Sequence, residues 1–163
     1  IEMAKANKDV KIGLIPCAVG GTPIRRWQQN GDLYKAALKR AKLAQKDGVI
    51  KGILWHQGES DSGRKETANI YEDQLHAMIG AWRKDLRSES IPVVVGELGQ
   101  FFKSAKFKGT VDAALKTLPE KVKHTGWVSA QELEHKGDVV HFNADSYREF
   151  GKRYAAKLQT LLK

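Results

Sequence analysis

Ile91-Pro92-Val93-Val94-Val95-Gly96-Glu97-Leu98 is a nearly unbroken apolar run, short and centred on three β-branched residues. A strand with one wet face alternates apolar and polar, so a run without alternation predicts a strand covered on both faces. On either side of it the pattern changes to helical spacing and back. Val10 to Ala18, with Val10, Ile12, Leu14 and Ile15, reads as an earlier strand, Val49 to Trp55 as a second, and Gly126 to Ala130 as a fourth. Asp32 to Lys46 carries a helical stripe closed by Gly48, and Thr67 to Leu86 carries another through Ile70, Tyr71, Leu75, Met78, Ile79 and Trp82. Thr110 to Leu118 is a shorter helix cut at Pro119. Ser146 to Leu162 is the last, opening on Ser146-x-x-Glu149, a capping-box pattern. Strands alternating with helices imply right-handed crossovers, hence an α/β fold with a parallel sheet between two helical layers. No repeat, linker or low-complexity tract interrupts the chain, so one domain suffices.

The composition fits that picture. A chain of 163 residues is long enough to bury roughly two-thirds of its unfolded surface. Hydrophobic residues at 41% and charged residues at 29% exclude wholesale disorder. No apolar run approaches the ~20 residues of a membrane-spanning helix, so no membrane partner is expected. The single cysteine, Cys17, excludes an intramolecular disulfide and a cysteine-built zinc site. The net charge of +9 invites a nucleic-acid reading. Against it, the lysines are spread over helical segments among acids, and the densest cluster, Lys103, Lys106 and Lys108, matches no binding motif. They read as a solvated surface, with no nucleic-acid partner. Ile1 to Asn7 reads as the tail of a helix already under way, stopping around Asn7 and Asp9, from which an N-terminus further upstream is expected.

In parallel α/β sheets, ligand chemistry collects in loops beyond the C-terminal strand ends. Four loops qualify: Cys17 to Trp27, His56 to Lys65, Gly99 to Lys108, and Gln131 to Asp145. The last contains Asp138-Val139-Val140-His141-Phe142. An acid three residues before a histidine on a turn can bond one imidazole nitrogen while the other faces outward, which is the back half of a nucleophile-activating triad. The first loop reads CAVGGTPIRRW, and Gly20-Gly21 permits a tight turn whose bare N–H groups can approach a ligand. The second reads WHQGESD over residues 55 to 61. There Gln57 offers an amide donor that needs no change of protonation, while Glu59 and Asp61 can anchor neighbouring loops. Two other readings compete. Glu59 and Asp61 could be a glycosidase acid–base pair, although on an extended turn they point apart. His135-x-x-Asp138-x-x-His141, with His56, offers potential metal ligands, although loop spacing alone does not make them converge.

Taken together, the three blocks resemble the SGNH hydrolase superfamily, in the carbohydrate acetylesterase branch that includes sialate O-acetylesterases and acetylxylan esterases. IGLIPCAVGGTPIRRW is similar to its second block, WHQGESD to its third, with glutamine where the superfamily usually has asparagine, and DVVHF before a helix to its last. The resemblance runs from about Met3 to the C-terminus. It implies a flavodoxin-like three-layer sandwich, the SGNH hydrolase fold, with residues 1–163 as the C-terminal portion of a single esterase domain lacking its first strand. His141 would be general base and then acid, Asp138 would orient it, and Gln57 would be an oxyanion donor. Gly20 or Gly21, preferably Gly21, would add a backbone N–H. Trp55, His56, Glu59 and Asp61 would shape the site, while Arg25, Arg26 and Trp27 would line a sugar-binding rim, unless Trp27 is core. The implied substrate is an acetylated carbohydrate. No metal or organic cofactor is implied, and by analogy the compartment is secreted or periplasmic.

Family members carry a nucleophilic serine in a Gly-x-Ser-Asn-like first block, and nothing in residues 1–163 matches it. Ser60 does not occupy the nucleophile's place in the family pattern, Cys17 reads as a packed thiol, and Ser129 ends a strand. The expectation is a serine on an upstream segment that pairs with this chain, which alone would show little or no turnover. The alternative is a catalytically silent carbohydrate-binding or scaffold domain of the same fold.

Overall fold

The computed structural model describes residues 1–163. Three strands, β1 (Ile53–Trp55), β2 (Val93–Gly96) and β3 (Thr125–Val128), form a parallel sheet in that order. Ile53 pairs with Val93, and Val93 in turn with Thr125. Six helices surround the sheet: α1 (Glu2–Ala6), α2 (Asp32–Ala44), α3 (Lys65–Asn69), α4 (Tyr71–Asp85), α5 (Lys108–Lys121) and α6 (Ala144–Leu161). All four residues of β2 are buried, as the unbroken run predicts. Because strand side chains alternate, Val93 and Val95 enter the larger core with Tyr71, Leu75, Leu115 and Leu118 from α4 and α5. Val94 enters the smaller core with Phe150, Tyr154 and Leu158 of α6. Each buried valine contributes about 1.5–3 kcal/mol relative to exposure, and together they hold the three layers in register.

The strand expected over Val10 to Ala18 does not form. No backbone N–H from Lys11 to Thr22 donates to a backbone carbonyl, and Val10 and Leu14 are 60% and 86% exposed. The stretch has strand composition, but a strand exists only through a ladder neighbour, and here it has none. β1 likewise pairs on one side only, with β2. Its Leu54 is 56% exposed, since α6 crosses β2 and β3 and leaves that face open.

Smaller departures have local causes. The long helix expected over Thr67 to Leu86 breaks at Ile70, which caps α3 and leads into α4. Pro119 does not cut α5, which runs to Lys121. In the last turn a proline removes one donor with little helix left to disturb. The cap of α6 is Asn143, whose side chain accepts the N–H of Ser146 at 2.8 Å. Ser146 Oγ instead accepts the N–H of Glu134 at 2.8 Å, tying the preceding loop to the helix. At the N-terminus the expected helical turn is α1, which ends at Asn7.

Two tyrosines fix where β1 stops. Tyr154 Oη, from α6, donates to the Trp55 carbonyl at 2.8 Å. Tyr71 Oη, from α4, donates to the Gln57 carbonyl at 2.8 Å and accepts Trp55 Nε1 at 3.3 Å. Burial pushes both hydroxyls up, so they remain protonated donors. Gly96 makes the first of these possible: a Cβ there would lie 2.1 Å from Tyr154 Oη. The loop that begins at His56 therefore leaves a clamped strand end.

Candidate active site

The loop after β3 is pinned at its base by a short antiparallel bridge. His135 pairs with Phe142, Lys136 N–H donates to the His141 carbonyl at 2.9 Å, and Asn143 N–H donates to that of Glu134 at 2.9 Å. Between these anchors the chain must reverse tightly, with Gly137 at φ 117° and Val139 at φ 52°. The reversal lets Asp138 Oδ1 accept two backbone N–H groups, from Val140 at 3.0 Å and His141 at 2.8 Å. Its Oδ2 lies 2.6 Å from His141 Nδ1. These bonds hold the Asp138 carboxyl well below the usual carboxylate range, led by the His141 backbone and ring. The His141 side chain is 57% exposed, so with Nδ1 occupied its free nitrogen faces solvent.

Val139 is the one β-branched residue in the left-handed region, a conformation that costs an L-residue roughly 1–2 kcal/mol and suits asparagine better. Val139→Asn is expected to raise the melting temperature by about 2–4 °C with activity retained. An unchanged or lower melting point would show that the turn carries no strain at this position.

The other two loops meet beside this one. Gln57, 9% exposed, donates from Nε2 to the Thr22 carbonyl at 3.0 Å and to Asp61 Oδ2 at 2.7 Å. Asp61 Oδ2 also accepts the N–H of Ile24 at 2.9 Å, and its residue is 2% exposed. Burial raises the Asp61 carboxyl, and the bonds from Gln57 and Ile24 pull only partly against it. Gly21 takes φ 67°, and the N–H groups of Gly20 and Gly21 bond to nothing. The His56 ring lies 5.6 Å from that of Phe142, the residue after His141. Glu59 is pushed up by burial and pulled below its ordinary value by His56, whose Nε2 is 3.6 Å away, with His141 close enough to contribute. The glycine loop is thus tied to the loop of Gln57 through Thr22, Ile24 and Asp61, and the loop of Gln57 touches that of His141 through His56 and Phe142.

Residues 1–160 match the family described as carbohydrate esterase, sialic acid-specific acetylesterase. The chain belongs to this carbohydrate esterase family. It is 32% identical over 142 residues to a probable carbohydrate esterase of Arabidopsis thaliana, covering 86% of this chain and 52% of the relative. The crystal structure from that plant locus superposes with a TM-score of 0.87 at 29% identity, over 97% of this chain and 65% of that one. A carbohydrate acetylesterase of Xanthomonas citri shares the fold at a TM-score of 0.81 and 22% identity, over 99% of this chain and 40% of the other. The chain thus spans about half the length of the curated relative. The three-layer parallel α/β architecture is that of these esterase structures.

The residues singled out from sequence differ in exposure and in what they touch. Arg25 is exposed and near enough to Asp61 to offset a small part of the rise that burial imposes on its carboxyl. Arg26 turns away, bonding Asp32 at the start of α2. Trp27 is core: it is buried edge-on against Trp55 at 5.4 Å, with Nε1 on Thr22 Oγ at 3.1 Å. Trp55 is buried too and supports the loop from below. Ser129 Oγ is bonded to Glu97 Oε2 at 2.8 Å. His135 Nδ1 accepts the N–H of Gly137, so it does not aim with Asp138 and His141 at one point. Two contributors went unread in the sequence. Thr22 supplies the carbonyl that holds Gln57, and Tyr147 packs edge-on against Phe142 at 5.4 Å. A backbone carbonyl leaves no mark in sequence, and Tyr147 reads as one more residue of an amphipathic helix.

Proposed function

We propose that this chain is the acid–base and oxyanion part of a serine esterase that removes O-acetyl groups from carbohydrates. The Asp138–His141 contact at 2.6 Å, with the ring otherwise open to solvent, carries the reading. A serine on an upstream segment attacks the acetyl carbonyl, and His141 takes its proton. Oxyanion donors from Gln57 and from Gly21 or Gly20 hold the tetrahedral oxygen. His141 then protonates the departing sugar oxygen, and water activated by the same ring releases acetate. No step calls on a metal or organic cofactor.

The upstream segment is proposed to join the sheet beside β1. That edge has no partner, Leu54 beside it is bare, and the extended stretch from Lys11 to Thr22 lacks any ladder. Unpaired edges with exposed apolar side chains are aggregation hazards, so a neighbour there stabilises the molecule. The substrate class is the acetylated sugar of the family description, and a secreted or periplasmic home is part of the proposal.

The experiment compares the 163-residue chain with the protein carrying its upstream segment, measuring acetate release from O-acetylated sugars and from an aryl acetate. The longer protein is expected to turn over both, and the short chain neither. Turnover by the short chain would remove the need for an upstream serine. A longer protein inert toward every acetyl ester would favour a silent carbohydrate-binding domain.

A further inference from the structure

Gln57 is held in an orientation that stability alone does not favour. Both neighbours of its Nε2, the Thr22 carbonyl and Asp61 Oδ2, are pure acceptors, so the nitrogen must face them. Its Oε1 is consequently buried with no partner. A buried unsatisfied acceptor costs folding free energy and calls for an explanation. The same Asp61 oxygen also fixes the Ile24 N–H, just past the glycine turn. One buried carboxylate oxygen therefore spans the two loops that carry the oxyanion donors.

We propose that Asp61 is the positioning residue of the oxyanion pocket, gripping one proton of the Gln57 amide so that the other can pass from the Thr22 carbonyl to the developing oxyanion. This rests on the serine-esterase reading and deepens it. In the resting site the second proton makes a neutral bond to a carbonyl at 3.0 Å. In the transition state that bond is exchanged for one to a negative oxygen, which is roughly twice as strong. The gain exists only in the transition state, so it accelerates the reaction without tightening substrate binding. Without Asp61 the amide would be free to rotate and relieve its orphaned oxygen.

The test uses the protein with its upstream segment and measures kcat and KM for an aryl acetate, with a thermal melt for every variant. Gln57→Ala is expected to lower kcat about 10²-fold with little change in KM. Asp61→Ala is expected to fall by a similar factor. Asp61→Asn, which can keep an oxygen in place for both donors, should recover to within about tenfold of the parent. Because Asp61 acts through Gln57, the double variant should be no slower than Gln57→Ala alone. Should Asp61→Ala not fold, Asp61→Asn paired with Gln57→Ala completes the same cycle. Losses that multiply, a loss confined to KM, or full activity in Asp61→Ala would overturn the proposal. His141→Ala separates the two levels. If it is inactive while Asp61→Ala is unimpaired, only the positioning role falls. If it is fully active, the serine-esterase reading falls as well.

Discussion

Asp138→Asn, made in the protein with its upstream segment, is expected to lower kcat for acetyl esters by about 10⁴-fold, the loss seen when a triad carboxylate is neutralised. The geometry makes this a clean substitution. Asp138 Oδ1 accepts the N–H groups of Val140 and His141, and an asparagine oxygen can go on accepting both. The turn should survive, and with it the position of the ring. What changes is the group facing His141 Nδ1, now 2.6 Å from a carboxylate oxygen. An amide NH₂ there cannot accept the Nδ1 proton, so the ring shifts to the other tautomer and presents a protonated nitrogen where a base is needed. His141→Ala, which removes the base altogether, is expected to lose at least about 10³-fold. The Asp138 carboxyl is held so low that it stays ionised where ordinary carboxylates titrate, so any acid limb in that range belongs to another group. A variant with the turn intact and activity within tenfold of the parent would show that the dyad does not work as an acid–base unit.

How far such a site could be read from the sequence depended on whether its parts were local. Asp138 and His141 are three residues apart on a turn, so their contact follows from short-range geometry. β2 was legible for a similar reason, because a run of three valines reports burial on both faces wherever the run sits. Val10 to Ala18 was misread because composition reports what a segment would do with a neighbour and not whether a neighbour is there. The break at Ile70 is invisible in a stripe whose periodicity continues through it. The α6 cap was displaced by three residues because Asn143 and Ser146 are both good caps, and only the bond from Glu134 commits Ser146 elsewhere. In the second block, WHQGESD identified Gln57 as a donor. Where its amide points is set by Thr22 and Asp61, the former 35 residues away, and that lies beyond local pattern. Arg26 and Trp27 were grouped with Arg25 by adjacency, but a single 3₁₀ turn sends the three side chains in different directions.

Gly96→Ala is expected to be among the most destabilising single substitutions in the molecule, at about 2–4 kcal/mol. Gly96 ends β2, the strand buried on both faces, and the added methyl would sit 2.1 Å from Tyr154 Oη and 2.7 Å from Phe150 Cζ. Overpacking a filled core costs about 1–3 kcal/mol. Moving Tyr154 also breaks its 2.8 Å bond to the Trp55 carbonyl, which keeps only its ladder partner, for about 0.5–1.5 kcal/mol more. Since a domain of this size holds only about 5–15 kcal/mol of stability, much of the margin would be gone. The damage also reaches the site, because the Trp55 carbonyl anchors the strand end from which His56 and Gln57 depart. Denaturant melts should therefore show a lower midpoint together with reduced turnover in whatever folded fraction remains. Tyr154→Phe supplies the internal check. Alone it loses the hydroxyl bond and costs about 0.5–1.5 kcal/mol. Combined with Gly96→Ala it removes the atom closest to the new methyl, so the pair should cost clearly less than the sum of the two singles. Strict additivity would mean that Gly96 and Tyr154 do not compete for the same space, and that the end of β1 is held by something other than this close approach.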